Sequence, residues 1–296
     1  MSSGSAMTRV HEEPAMGRRE NAAGIAVGAG ASRCVAVLAL CAGCLVGCGE
    51  GGGADSGAAT APAPATKFPV PDLDTAGPCL TPDERADIVT FRSGNGALLA
   101  GARFGTGDTG VVFVDMAGSS MCAWAAYARS LAGRGMAAFV IDLNGQGLSQ
   151  PSDDFLEAPD YGADVAAAVE IFRDSGVRSI ALAGASLGAT AAVVAAADLG
   201  DGVTRVAELS GDASADGLDA MDAAGRLRVP LLCLAGSEDS GPADAAQRMC
   251  DAATSAPSND VLIARDSILH GTHLLDQASN PDGEAVRARL DDFLTG

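Results

Sequence analysis

A serine between two glycines, Ser186 in the stretch GASLG (184–188), is the first residue in this sequence that could act as a nucleophile. An apolar run at 179–184 leads into this stretch, and a run of small residues at 189–200 follows it. A strand that turns sharply into a helix lifts such a serine clear of the backbone, and the flanking glycines permit the strained turn. We therefore interpret Ser186 as a nucleophile, with an ordinary polar turn residue as the alternative.

A base and an acid follow Ser186 in the chain order of one type of catalytic triad, serine, acid and then histidine. A serine hydroxyl needs a base, and the chain offers His270 and His273 just after its last apolar run. We favour His270, because the glycine that follows it gives the backbone freedom to place the ring, and keep His273 as the alternative. Asp239 is the predicted acid that orients the histidine.

Other carboxylates could replace Asp239 in this role. Glu238 lies beside it, and Asp212 follows an earlier predicted strand at 203–210. Asp142 also follows a predicted strand, but its stretch DLNGQGLS (142–149) is better explained as a structural turn.

The elements that must position these residues alternate between strands and helices, which predicts an α/β fold with a mostly parallel sheet. A hairpin formed by 87–91 and 97–104 precedes the parallel part. The longest interval between later strands, 211–228, has room for one short helix, so we expect no large lid. The other predicted strands are 110–115, 136–142, 179–184, 203–210, 229–236 and 260–265.

The motifs GASLGA, LAGSEDS, HGTHLL and DLNGQGLS together resemble those of bacterial α/β-hydrolases, of the compact lidless kind that includes dienelactone hydrolases and small serine esterases and peptidases. The resemblance covers about residues 85–296 and implies an α/β-hydrolase fold with helices on both faces of the sheet. It also implies the triad Ser186, Asp239 and His270, with His270 as the histidine of the family's His-Gly pair.

The same resemblance implies that backbone N–H groups of Ala117 and Leu187 hold the oxyanion, with Met116 replacing Ala117 if the alignment shifts by one residue. The chain departs from the family at two positions. Asp115 stands where the family has the histidine of its oxyanion loop, and Asn144 stands where an arginine is common. A carboxylate near a developing oxyanion is unfavourable, so Asp115 puts turnover in doubt.

Two functions follow from this pattern. The first is a serine hydrolase that cleaves a small-molecule acyl ester or amide through an acyl-enzyme, without a cofactor or metal. The second is a catalytically inactive, tethered protein of the same fold that binds a ligand. The formal net charge of −19 argues against a nucleic-acid partner. The oligomeric state does not follow from the sequence.

The first 47 residues predict a lipoprotein signal peptide. Arginines precede an apolar run at 34–46, which is too short to span a membrane and suits the central segment of a signal peptide. The run ends in LVGC, which resembles a lipobox with Cys48 as the lipidated residue; a plain secretory signal is the alternative. We expect a flexible Gly/Ala/Pro linker over 48–66, a hydrolase domain over 67–296, and anchoring outside the cytoplasm to a bacterial cell membrane.

Export also predicts disulfides, because the compartments outside the cytoplasm are oxidising. Beyond the leader and Cys48, the sequence retains Cys79, Cys122, Cys233 and Cys250, which allow three pairings. Their closeness in the chain favours Cys233 with Cys250, which leaves Cys79 for Cys122.

Overall fold

The structure is a computed structural model, and it describes residues 79–296. The predicted signal peptide (1–47), the linker (48–66) with its lipidated Cys48, and the first residues of the predicted domain (67–78) lie outside the described residues.

A mixed eight-stranded sheet forms the centre of the described part, with strand order β1-β2-β4-β3-β5-β6-β9-β10. A separate pair of two-residue strands, β7 and β8, forms a small hairpin. The strands are β1 (Ile88–Arg92), β2 (Leu98–Phe104), β3 (Thr109–Val114), β4 (Ala137–Asp142), β5 (Ser179–Ala185), β6 (Arg205–Leu209), β7 (Ser214–Ala215), β8 (Leu218–Asp219), β9 (Leu231–Gly236) and β10 (Asn259–Ala264).

The strand directions match the prediction from the sequence. β1 and β2 form the antiparallel hairpin, β2 also pairs antiparallel with β4, and the six strands from β4 to β10 in the sheet order are parallel. Because the carboxyl ends of parallel strands share one edge, the loops that follow β3, β5, β9 and β10 meet there.

Helices cover both faces of the sheet. α3 to α6 pack on one face, and α2 and α7 pack on the other. All residues of β4 and β9 are buried, as expected for strands covered on both sides, and this explains their continuous apolar runs. The helices are α1 (Pro82–Ala86), α2 (Cys122–Ala132), α3 (Tyr161–Asp174), α4 (Leu187–Leu199), α5 (Ala220–Arg226), α6 (Pro242–Ala252) and α7 (Gly283–Thr295).

The interval 211–228 contains more than the one short helix expected from the sequence. α5 is that helix, but the β7–β8 hairpin precedes it. Asp216 and Gly217 form the two-residue hairpin turn, with φ angles of 46° and 83°. Positive φ at both positions is what a tight hairpin turn of this hand requires, and Asp-Gly is a common sequence for it.

Two disulfides link chain segments in the described part. Cys79 is bonded to Cys122 and ties the start of the described chain to α2, while Cys233 of β9 is bonded to Cys250 of α6. This is the pairing that closeness in the chain favours. Within residues 79–296, no helix combines the length and apolar character needed to cross a lipid bilayer.

Candidate active site

Ser186 lies in a strained turn between β5 and α4, with φ 51° and ψ −122°. The turn leaves no space for side chains at the flanking glycines. A Cβ atom on Gly184 would lie 2.1 Å from the Gly188 carbonyl oxygen, and one on Gly188 would lie 2.2 Å from the Asp115 carbonyl oxygen. The Ser186 N–H donates to the Leu209 carbonyl of β6 at 2.8 Å. A residue held in such a rare conformation by its surroundings is typical of a functional site.

The Ser186 side chain is partly exposed and makes no capping bond to α4. It stands at the amino end of a thirteen-residue helix, where unpaired N–H groups and the helix dipole favour negative charge. The turn therefore has the exposure and the local electrostatics that a nucleophile forming an oxyanion needs.

His270 and Asp239 are in direct contact. His270 Nδ1 lies 2.9 Å from Asp239 Oδ2, and the Asp239 side chain is only 12% exposed whereas that of His270 is 40% exposed. Backbone bonds fix the Asp239 turn, since its N–H donates to the Gly236 carbonyl and its own carbonyl accepts the Ala243 N–H of α6, both at 3.1 Å. A carboxylate on Nδ1 selects the tautomer that leaves Nε2 free to accept a proton.

Gly271 brings the His270 loop against the Ser186 turn. A Cβ atom on Gly271 would lie 3.3 Å from the Ala185 Cβ and 2.4 Å from the Met116 sulfur, and the Gly271 φ is 56°. The Gly271 N–H also donates to the buried Ser210 hydroxyl at 2.9 Å. The residue after His270 thus packs on the residue before Ser186 and on the loop after β3.

The alternative residues occupy other positions. His273 is exposed, and its ring forms no ion pair with a carboxylate of the described chain. Glu238 and Asp212 are both exposed, and neither forms an ion pair with a histidine of the described chain. Asp239 is the carboxylate that contacts His270.

The loop after β3 lies beside the amino end of α4. The Gly118 N–H is occupied, because it donates to Gln146 Oε1 at 2.9 Å. By contrast, the N–H groups of Ala117 and Leu187 have no hydrogen-bond partner within the described chain. These are the two groups predicted to receive the oxyanion, and both belong to the segments that meet at Gly188.

Asp115 is fully buried, and its Oδ1 accepts the Leu143 N–H at 3.3 Å while its Oδ2 has no partner in residues 79–296. Burial raises the pKa of Asp115 well above its usual value, and the nearby Asp142 and Asp164 raise it further. The raised pKa favours the neutral form of the Asp115 carboxyl. The acidic side chain expected to oppose the oxyanion is instead buried and faces the end of β4.

Asp142 has the structural role predicted for it. Its two carboxyl oxygens accept the N–H groups of Met121 and Leu148, and they fill the space that a side chain on Gly147 would need. Asn144, at the position where an arginine is common, is buried and binds Ser152 through both ends of its amide, at 2.9 and 3.0 Å. These hydrogen bonds hold the turn after β4 in place.

Glu208 is a buried acid that the sequence analysis did not identify. Its Oε2 accepts the Gly211 N–H at 2.9 Å, its Oε1 has no partner in the described chain, and burial raises its pKa to about 8. Glu208 on β6 is paired with Gly184 on β5, and Gly184 is two residues before Ser186 in the chain. The signal was present, since Glu208 is the one charged residue inside the apolar run VAELS (206–210).

Solved structures of esterases and of a dienelactone hydrolase share this architecture. No protein-family model and no curated protein matches the chain. The esterase Pf2001 from Pyrococcus furiosus is 15% identical, with a TM-score of 0.59 over 73% of this chain and 92% of that one. A dienelactone hydrolase from Anabaena variabilis is 20% identical, with a TM-score of 0.53 over 69% of this chain and 93% of that one. The esterase RhEst1 from Rhodococcus is 15% identical, with a TM-score of 0.56 over 71% and 99%.

Identities this low carry information about the fold and not about the reaction. The chain nevertheless superposes on these structures over most of their lengths, with TM-scores above 0.5. The described part of the chain therefore has the α/β-hydrolase fold.

Proposed function

We propose that this protein is a serine hydrolase that cleaves a small acyl ester or amide, with Ser186 as nucleophile, His270 as base and Asp239 as orienting acid. The observation that carries the proposal is the His270–Asp239 hydrogen bond, in a loop that packs through Gly271 against the residue preceding Ser186. The esterase activity of proteins with the same fold is consistent with it.

The proposed reaction has two halves, acylation of Ser186 and hydrolysis of the acyl-serine, and the same groups act in both. Ser186 Oγ attacks the acyl carbonyl carbon while His270 takes the hydroxyl proton, and the N–H groups of Ala117 and Leu187 stabilise the resulting oxyanion. His270 then returns the proton to the leaving alcohol or amine, which leaves an acyl-serine. Water attacks this ester by the same route, and Asp239 stabilises the positively charged ring in both halves.

The openness of the site favours small or accessible acyl groups. The His270 ring is 40% exposed, Ala117 is exposed, and no large insertion covers the carboxyl edge of the sheet in residues 79–296. A long acyl chain would gain little buried area there, so short-chain esters are the natural first substrates.

The inactive binding protein is the second candidate, because Asp115 replaces the usual residue of the oxyanion loop. The burial and raised pKa of Asp115 weaken this alternative, because they favour the neutral carboxyl, which opposes an oxyanion less than a carboxylate does. Its Oδ1 is also engaged by the Leu143 N–H.

Labelling with a fluorophosphonate separates the two candidates, because the probe modifies an activated serine and leaves an unactivated one unmodified. We expect one phosphonyl adduct on Ser186 in the wild type, none in Ser186→Ala, and an unchanged adduct in Ser255→Ala, a control at an exposed serine. A wild-type protein that stays unlabelled, or an equally labelled Ser186→Ala, would contradict the proposed hydrolase.

We also propose that the domain is anchored through Cys48 outside the cytoplasm. Support comes from the sequence of the leader and from the two disulfides, which persist in oxidising compartments.

A further inference from the structure

A cavity of about 580 Å³ lies between the loop that precedes α3 and the turn of the β7–β8 hairpin. Its apolar wall includes the rings of Phe155 and Tyr161 and the side chain of Leu218, and Leu156 stands at its edge with 93% of its surface exposed. A concave site of this size with a partly apolar wall is typical of a binding site for a small ligand.

The cavity is connected to the proposed active site by hydrogen bonds. The loop that carries Phe155 also contains Gln146, whose Oε1 accepts the Gly118 N–H of the oxyanion loop. On the other side, the segment that forms the β7–β8 hairpin begins at Asp212, whose N–H donates to Thr190 Oγ1 in the first turn of α4. Both walls of the cavity therefore start from loops that adjoin Ser186.

The cavity walls are held in place before any ligand binds. The Pro159 carbonyl accepts hydrogen bonds from the side-chain amides of Asn95 and Asn144. The Phe155 ring covers Gly145, where a Cβ atom would lie 2.6 Å from the ring. Asp160 caps α3 by accepting the Ala163 N–H. A fixed cavity avoids the cost of ordering its walls when a ligand binds.

The charged residues that line the cavity are all acidic. Glu157, Asp160 and Asp216 line it, and no arginine, lysine or histidine does. Many acids elsewhere in residues 79–296 are paired with arginines, as in the bonds of Arg226 with Asp198 and Asp222, but these three form no ion pair within that range. Three carboxylates without an ion pair attract a cation by charge, and the half-buried Phe155 ring beside them can add a cation–π contact.

We propose that this cavity binds an alkylammonium group of the substrate, so that the hydrolase prefers esters that carry a positive charge over neutral esters of the same shape. This inference rests on the proposed hydrolase function, but the preference of the cavity for a cation can be measured without turnover.

Binding of choline and of its uncharged analogue 3,3-dimethylbutan-1-ol to the wild-type protein, measured by calorimetric titration, is the first test. The two ligands differ by one charge at nearly equal shape. A cation–π contact aided by carboxylates predicts choline binding about tenfold tighter, and weaker binding as salt is added. Equal affinities, or no choline binding at 50 mM, would overturn the inference.

The double variant Asp160→Asn/Asp216→Asn tests whether the cavity is the site. Both residues have positive φ angles, 42° and 46°, which asparagine tolerates, and the asparagine oxygen can still cap α3. We expect the variant to lose most of the preference for choline. The variant Asp174→Asn/Asp201→Asn removes the same number of charges at exposed positions, at the carboxyl end of α3 and beyond that of α4, and is the matched control that should keep it. Equal loss in this control would mean that only the overall charge matters, and would overturn the inference.

Hydrolysis of butyrylcholine against 3,3-dimethylbutyl butyrate, and of phenyl 6-aminohexanoate against phenyl heptanoate, then shows which side of the ester enters the cavity. We expect kcat/KM about tenfold higher for the charged member of at least one pair. A protein that binds choline selectively but hydrolyses none of these esters would contradict the proposed function and still support the cation site. Hydrolysis of all four esters without any preference for charge would overturn the inference and leave the proposed function intact.

Discussion

His270 Nδ1 lies 2.9 Å from Asp239 Oδ2, although the two residues are 31 positions apart in the chain. The register of the sheet explains the contact. β9 and β10 are parallel neighbours that end together, with Gly236 paired to Ala264, so the loops that follow them leave the sheet side by side. Gly236 permits the close approach, because a Cβ atom there would lie 2.5 Å from the Ser267 carbonyl oxygen.

Replacement of the two histidines should give unequal losses of activity. We expect His270→Ala to lose at least 100-fold in kcat for short p-nitrophenyl esters, since removal of a triad base has large effects. His273 is exposed and forms no ion pair with a carboxylate of the described chain, so His273→Ala should keep most of its kcat and change mainly its KM. Steady-state kinetics on both purified variants is the measurement.

His273→Ala is the matched control for His270→Ala, because each variant removes one imidazole from the same short segment. Unchanged thermal unfolding would show that neither change disturbs the fold. A larger loss in His273→Ala would transfer the base to that residue, and full activity in both would exclude a histidine base.

Asp115→Asn should change the pH dependence of hydrolysis. Burial raises the pKa of Asp115 well above its usual value, which favours the neutral carboxyl. As the pH rises through that pKa, a negative charge forms two residues before the proposed Ala117 donor and opposes the oxyanion. As the pH rises, the wild type should therefore lose activity relative to Asp115→Asn, which it should match at the acid end of the profile.

The pH profile of kcat/KM for both proteins provides the check, with Asp108→Asn as a control for an exposed acid at the opposite end of β3. A large gain for Asp115→Asn already at pH 7 would show that Asp115 is ionised there and suppresses turnover. That result would support the inactive binding protein as the natural function.

The sequence predicts the main sheet well because burial on both faces makes each central strand a continuous apolar run, which β3, β4 and β9 show clearly. The positions of Ser186, Asp239 and His270 follow from the same runs, since each residue stands just after one. The β7–β8 hairpin was not predicted, because two-residue strands carry no periodicity, although Asp216-Gly217 marked its turn. The part played by Ser210 depends on a loop 61 residues away, which local sequence cannot reveal.

Cys48→Ser should release the protein from membranes or block its processing. A lipidated cysteine needs its thiol for the lipid, and serine keeps the size but not this chemistry. We expect the wild type in the membrane fraction of expressing cells and the variant in the soluble or unprocessed fraction. Cys44→Ser, four residues earlier, is the control and should leave fractionation unchanged. An unchanged membrane pool for Cys48→Ser would exclude the lipid anchor.

Glu208 makes the stability of the folded protein fall as the pH rises from 4.5 to about 8. Burial raises its pKa from the ordinary 4.5 to about 8, so the folded state holds a proton that the unfolded state has released. Its stabilising effect is complete below pH 4.5 and is lost as the pH rises through 8. The pKa values of Asp142 and Asp164, both raised by burial to about 6, add a loss of the same sign at lower pH.

Glu208→Gln should remove its part of this loss, because glutamine stays neutral and its oxygen can still accept the Gly211 N–H. Each pH unit between the two pKa values is worth about 1.4 kcal/mol, and pH 5 to pH 8 covers most of that interval, so we expect the variant to gain about 3.5 kcal/mol over the wild type across this range. Urea unfolding at the two pH values measures this difference. Glu170→Gln, at an exposed position of α3, should shift stability equally at both. A Glu208→Gln difference that does not grow with pH would show that Glu208 is already ionised in the folded protein.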